Sequence, residues 1–220
     1  MSVPIASRSS RIGDDLAAAL TALRQGRVVL AVDDVLDTGC DVVALGAAVS
    51  VPTVAAMVRC GSGLICATVD ARTCDRLNLP PASWREEADR WYVGSMRVGV
   101  DAAAGISTGI SARDRATTLR VLAEPHSAPG ALSRPGHVVP VLAPDLGACV
   151  NRPAILAAAA RLCGRPGGSV AYCATVREPP GGAGIEDLEP GSLPAFRYSD
   201  VLNAVRPDPA FPIPPRSSNT

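Results

Sequence analysis

Lysine is absent from this 220-residue chain, so arginine supplies all of its fixed positive charge. The 21 basic residues are matched by 21 Asp and Glu, for a formal net charge of zero. A balanced chain without a basic run lacks the electrostatic footprint of nucleic-acid or anionic-membrane binding. Aromatic residues are scarce, 3% against a hydrophobic content of 47%, so a core has to be built from Ala, Val and Leu. No apolar run reaches the ~18 residues of a membrane span. The start, MSVPIASRSSRIGDD, has no apolar segment of the secretory kind. The seven cysteines form an odd set with no C-x-x-C spacing, which points to neither a zinc site nor a disulfide framework. The expectation is a cytoplasmic protein with reduced thiols and with no nucleic-acid or membrane partner.

The length suits one domain with a substantial core. We expect a flexible N-terminus over 1–12, a single domain over 13–206 and a disordered Pro-rich tail over 207–220. Asp14 and Asp15 open a helix closed by Gly26, and the run VVLAV at 28–32 reads as a buried strand followed by a loop over 33–41. Ser50 caps a helix with Pro52 in its first turn, GLICATV at 63–69 reads as a strand, and Asp70 caps a short helix through Leu77. A strand over 96–102, a helix over 111–123 and a strand over 138–142 follow. A helix over 153–163 begins at Asn151, a strand covers 169–176, and residues 199–205 form a last helical turn. The Gly/Pro-rich segment 177–194 carries no regular pattern. Strands alternating with helices imply a layered arrangement.

The chemistry concentrates in AAGISTGISARDRATT at 103–118, with RPGHVVP at 134–140. Gly105 and Gly109 bracket Ser107 and Thr108, and Ser111 stands as N-cap of a helix whose first turn holds Asp114. Such a turn offers N–H and hydroxyl groups to an anion, although many helices start this way without a ligand. Together with ALRQGRVVLAVDD at 22–34, RCGSGLIC at 59–66 and ARLCG at 160–164, these segments resemble 3,4-dihydroxy-2-butanone 4-phosphate synthases of the riboflavin pathway. The resemblance covers roughly residues 14–176. It implies an α+β fold, a mixed sheet flanked by helices in a layered sandwich, and a homodimer with its site at the subunit interface. The family reaction turns ribulose 5-phosphate into 3,4-dihydroxy-2-butanone 4-phosphate and formate with Mg²⁺.

Against the family's acid loop, Asp33, Asp34 and Asp41 match while its glutamates and arginine are missing; Asp37 stands as a shorter substitute acid, and the aspartates either handle protons or cap a turn. The family's metal-binding His falls at Arg152, a cation unable to ligate Mg²⁺ but able to hold an anionic group. A family Glu aligns with Cys173. His137 matches a catalytic His and can act as acid or base near neutral pH. Cys66 matches a pocket cysteine. Cys40 and Cys173 fall at pocket positions, where they are either nucleophiles or apolar filler. Trp84, Trp91 and Tyr92 either wall the pocket, or cover the edge of the core or form part of the dimer contact.

From these losses we expect a repurposed, metal-independent enzyme with no cofactor. Its reaction would be a cyclisation, isomerisation, dehydration or C–C rearrangement of a small molecule in specialised, natural-product metabolism. The expected catalytic set is His137, Asp33, Asp34, Asp41, Cys66 and Cys173, and the substrate-binding set is Ser107, Thr108, Arg152, Asp37, Cys40 and Trp91, with no metal ligand. The alternatives are a non-catalytic paralogue that binds a ligand or partner, and the riboflavin-pathway reaction itself.

Overall fold

A computed structural model describes residues 12–36, 39–82, 95–165, 168–175 and 193–205. Seven strands form one mixed sheet: β1 (Val29–Val32), β2 (Cys40–Leu45), β3 (Cys66–Val69), β4 (Val100–Ala102), β5 (Leu132–Leu142), β6 (Val170–Ala174) and β7 (Ala195–Arg197), in the spatial order β4-β5-β3-β6-β2-β1-β7. Among the described residues six α-helices surround it: α1 (Ile12–Arg24), α2 (Val51–Cys60), α3 (Ala71–Leu77), α4 (Ala112–Ala123), α5 (Arg152–Leu162) and α6 (Tyr198–Val205). The expected α+β class with a mixed sheet flanked by helices is observed.

The central strands are apolar on both sides because both faces are covered. On β2, Val43 and Leu45 enter one core with α1, α5 and α6, whereas Val42 and Ala44 enter the other with α2, α3 and α4. The scarcity of aromatics shows in α5, where Pro153 through Ala160 are all buried. Five alanines in that stretch let the helix lie close to the sheet, so little volume is left for larger side chains to fill. The described aromatic residues, Tyr172, Phe196 and Tyr198, all lie in the first core.

Helix starts follow their caps. Ser50 forms a capping box with Thr53, while Asp70, Ser111 and Asn151 each accept from the backbone N–H three residues on. The strand expectations need adjustment. Residues 40–45 form β2, so Asp41 sits on a strand and not in the preceding loop. Strand β3 begins only at Cys66, after Gly63 takes φ +78°, and β5 runs eleven residues from Leu132 to Leu142 with Pro135 and Pro140 inside it. The strand expected over 96–102 is regular only at β4, and β7 had no counterpart in the pattern. Of the expected flexible N-terminus 1–12, Ile12 belongs to α1 and residues 1–11 lie outside the described residues, as do Asp37, the stretch 83–94 with Trp84, Trp91 and Tyr92, and the whole expected tail 207–220.

Candidate active site

Strand register brings the candidate residues to one end of one sheet face. Val43 pairs with Tyr172, Tyr172 with Cys66 and Cys66 with Val139, a row across β2, β6, β3 and β5. Strands β2 and β5 run the same way, since two antiparallel steps and one parallel step separate them. Asp41 precedes Val43 by two residues, as His137 precedes Val139, so both lie on the face of that row and at the same end. Three strand steps place them roughly 14 Å apart.

At the β2 end, Asp41 is buried and fully engaged. Its Oδ2 accepts from Arg152 Nε at 2.7 Å and from the Tyr198 hydroxyl at 3.0 Å, and its Oδ1 accepts from Arg152 Nη2. The Arg152 guanidinium also lies over the Tyr172 ring, 5.0 Å from its centroid. Burial pushes the Asp41 carboxyl above its ordinary value, opposed by the Arg152 charge and by the bonds from Arg152 and Tyr198. Burial, followed by the Asp41 charge, holds the Tyr198 phenol well above its usual range, so it remains a donor.

The neighbouring acids are turned elsewhere. Asp33 Oδ1 accepts from the Val35 N–H at 2.9 Å and the Leu36 N–H at 2.6 Å, capping its own turn. Asp34 accepts from the Ser199 N–H at 3.0 Å and the Ser199 hydroxyl at 2.5 Å, which ties the loop to the start of α6. Asp33 thus caps its own turn, and Asp34 joins the loop to α6.

Between the two ends lies a pocket of about 170 Å³, lined by Ser62, Leu64, Cys66, Met96, Arg152 and Tyr172 with Ala174. Burial pushes the Cys66 thiol up to about 11, so it is protonated at neutral pH and a poor nucleophile. Cys173 follows Tyr172 and therefore faces the opposite core, where its Sγ lies 3.3 Å from the Ser62 hydroxyl. Cys40 precedes Asp41 and likewise alternates away from the Asp41 face; its carbonyl accepts from Thr175. The three cysteines thus do not meet in one pocket.

At the β5 end, His137 Nδ1 lies 2.8 Å from Asp101 Oδ2, and the His137 backbone N–H donates to Asp101 Oδ1 at 3.0 Å. The carboxylate is 8% exposed and the imidazole 41%, so a buried acid holds a half-open ring. With Nδ1–H donating to Asp101, Nε2 keeps its lone pair toward the open side. Two glycines make the pair possible. A Cβ on Gly136 would run into the backbone of Val100 and Asp101, so only glycine lets β5 pass this close to β4 at the register shift beside Asp101. Gly109, at φ +86°, brings the 105–111 loop over the pair; a Cβ there would strike Asp101 Oδ2 and come within 2.7 Å of His137 Nδ1.

Asp114 holds that loop. It accepts from the Ser107 N–H at 3.2 Å, the Ser107 hydroxyl at 2.8 Å and the Gly109 N–H at 3.1 Å. Burial raises its carboxyl, but these bonds, with the Ser111 contact, outweigh it and leave the value lowered. Ser107 is thereby committed to Asp114, while Thr108 is exposed beside Gly109. Asp37 and Trp91, the remaining expected binding residues, lie outside the described residues. Sequence reading missed Asp101, Tyr172 and Tyr198. Asp101 had a signal, an acid two residues before the Gly/Ser/Thr stretch; Tyr198 had none, because its partner is 157 residues away.

A mixed sheet covered on both faces, with a His–Asp pair and a guanidinium–carboxylate pair at the same end of one sheet face, defines a protein of the α+β class. The family model for 3,4-dihydroxy-2-butanone 4-phosphate synthase matches residues 17–189. The chain belongs to that family. A curated 3,4-dihydroxy-2-butanone 4-phosphate synthase of Chromobacterium violaceum is 41% identical over 127 residues, 57% of this chain and 60% of the relative. The riboflavin biosynthesis protein RibBA of Salinispora arenicola is 41% identical over 176 residues, 78% of this chain and 41% of the relative. The chain thus spans less than two thirds of the length of these relatives. A crystal structure of a 3,4-dihydroxy-2-butanone 4-phosphate synthase in complex with two magnesium ions superposes with a TM-score of 0.74 at 27% identity, covering 87% of this chain and 96% of the other.

These relatives correct the functional expectation. The identity of about 40% to curated riboflavin-pathway proteins overturns the repurposed natural-product cyclase or isomerase and favours the riboflavin-pathway alternative. That expectation had weighed the substituted acid-loop residues above the similarity of the whole chain.

The magnesium pair of that relative can be tested against the residues here. Hard Mg²⁺ needs oxygen donors with open lone pairs in octahedral array. Asp41 spends its oxygens on Arg152 and Tyr198, and among the described residues no group of three or more His, Cys, Asp or Glu side chains is placed to hold a metal ion. The donor set does not fit the ion at this corner.

Proposed function

We propose that this chain catalyses the family reaction, conversion of ribulose 5-phosphate to 3,4-dihydroxy-2-butanone 4-phosphate and formate, as a cytoplasmic riboflavin-pathway enzyme. The identity of about 40% to curated synthases carries the reading, and the assembled His137–Asp101 pair supports it. The reaction begins by moving a proton off carbon next to a carbonyl. His137 Nε2 is the group in this chain suited to take that proton and return it, with Asp101 fixing the ring and stabilising the imidazolium. Thr108, exposed next to Gly109 on a loop stiffened by Asp114, offers its hydroxyl to the phosphate or a sugar oxygen. A homodimer with the site at the subunit interface goes with this reading; Leu64, an apolar pocket residue 52% exposed, supports it by needing cover.

The test is formate release from ribulose 5-phosphate by the purified chain. Turnover is expected, and His137→Ala should lower kcat by about 10²- to 10⁴-fold without loss of fold. No formate from the wild type, or full turnover by the variant, would refute the assignment.

A further inference from the structure

Arg152 is fixed from every side that the fold offers. Asn151 caps α5 and Pro153 follows in its first turn, so Arg152 leaves the helix start in a set direction. Its guanidinium grips Asp41 through Nε and Nη2 and rests on the Tyr172 ring, with its side chain 11% exposed beside a carboxylate that is 3% exposed. Tyr198, delivered by a helix beyond the family-matched residues 17–189, adds a third donor to the same carboxylate. A divalent ion entering here would have to displace these charge-assisted bonds and then sit against a guanidinium of like sign. Of the other matched acids, Asp33 caps its turn through Oδ1 and Asp34 is spent on Ser199. Arg152 itself lines the pocket together with Cys66 and Leu64.

We propose that the Arg152 guanidinium, locked to Asp41 by Tyr198 and the Tyr172 ring, is the resident cation of this pocket in place of a divalent ion on Asp41, and draws the anionic oxygens of the sugar-phosphate substrate to it. The substrate half rests on the synthase reading; the cation half stands on side-chain geometry alone. Tyr198 and Asp41 act as positioning residues, holding the charge where the substrate meets it.

Mn²⁺ titration of the full chain, followed by the EPR signal of the free ion, tests the cation half. The wild type should leave the ion free. Arg152→His, which removes the guanidinium and puts an imidazole beside Asp41, should take up Mn²⁺ about tenfold more tightly or better, and Asp41→Asn added to it should abolish the gain. Stoichiometric uptake by the wild type that Asp41→Asn abolishes would overturn the proposal, whatever the fate of the Arg152 variant. Calorimetry of ribulose 5-phosphate binding in chelator tests the other half. Arg152→Ala should weaken binding about tenfold, with recovery on adding guanidinium ion. Recovery on adding Mg²⁺ instead would overturn it. Formate release is scored separately: its absence beside a wild type that binds the sugar phosphate and ignores Mn²⁺ sinks the reaction and leaves the cation assignment standing.

Discussion

The two sides of this sheet face handle a buried carboxylate in opposite ways. At the β5 end, Asp101 is spent on a half-exposed imidazole that can exchange protons with whatever enters. At the β2 end, Asp41 is spent on a guanidinium that never gives up its proton, with a phenol donating to the same carboxylate. One pair leaves a ring nitrogen on the open side, and the other closes a guanidinium onto its acid. A buried acid therefore signals nothing about proton transfer until its partner is known.

Breaking the first pair should have the larger effect on turnover. Asp101→Asn keeps the shape but removes the charge that sets the His137 ring, and a fall in kcat of roughly a hundredfold is expected from the misplaced base, with KM little changed. An equal loss in both parameters would mean that Asp101 serves binding instead. Breaking the second pair should register first in stability. Tyr198→Phe strips a donor from a buried carboxylate, and thermal or denaturant unfolding should show a loss of about 1–3 kcal/mol. An unchanged midpoint would show that Arg152 alone satisfies Asp41.

Asp114 sharpens the comparison by a pH series. Its carboxyl lies below the ordinary value in the fold, so the stability it confers is present above about pH 4 and is lost as pH falls through the lower folded value. Asp114→Asn should therefore melt below the wild type at neutral pH, with the gap closing in acid. A gap independent of pH would assign the effect to shape and not to charge. The smallest change concerns the thiols. With Cys66 raised to about 11 and Cys149 exposed, iodoacetamide at neutral pH should label Cys149 long before Cys66, read by peptide mass. Rapid labelling of Cys66 would show a thiolate that the Arg152 charge has stabilised.

Much of this arrangement is legible in the chain. The caps at Ser50, Asp70, Ser111 and Asn151 act over three residues, so local spacing is enough to place the helix starts. RPGH and the Gly105–Gly109 loop were legible for a related reason: glycine at Gly109 and Gly136 is demanded by a close backbone approach, and that demand is written in the residue itself. The acid loop was read less well. Its aspartates looked like a depleted catalytic cluster, because the sequence does not say whether a carboxylate faces its own turn, as Asp33 does, or a distant helix, as Asp34 does through Ser199. Likewise Cys66 and Cys173 looked like companions until strand pairing put them on opposite faces.

By itself, then, the sequence determined the helices, the two-sided apolar strands, the family and the identity of His137, all properties carried by nearest neighbours and by side-chain periodicity. Only the tertiary structure decided what each charge does. The partners of Asp41 come from 111 and 157 residues away and that of His137 from 36. Such pairings are set by strand order and helix docking. Whether a buried carboxylate serves chemistry or architecture follows from the group that the fold brings to it, which no local pattern records.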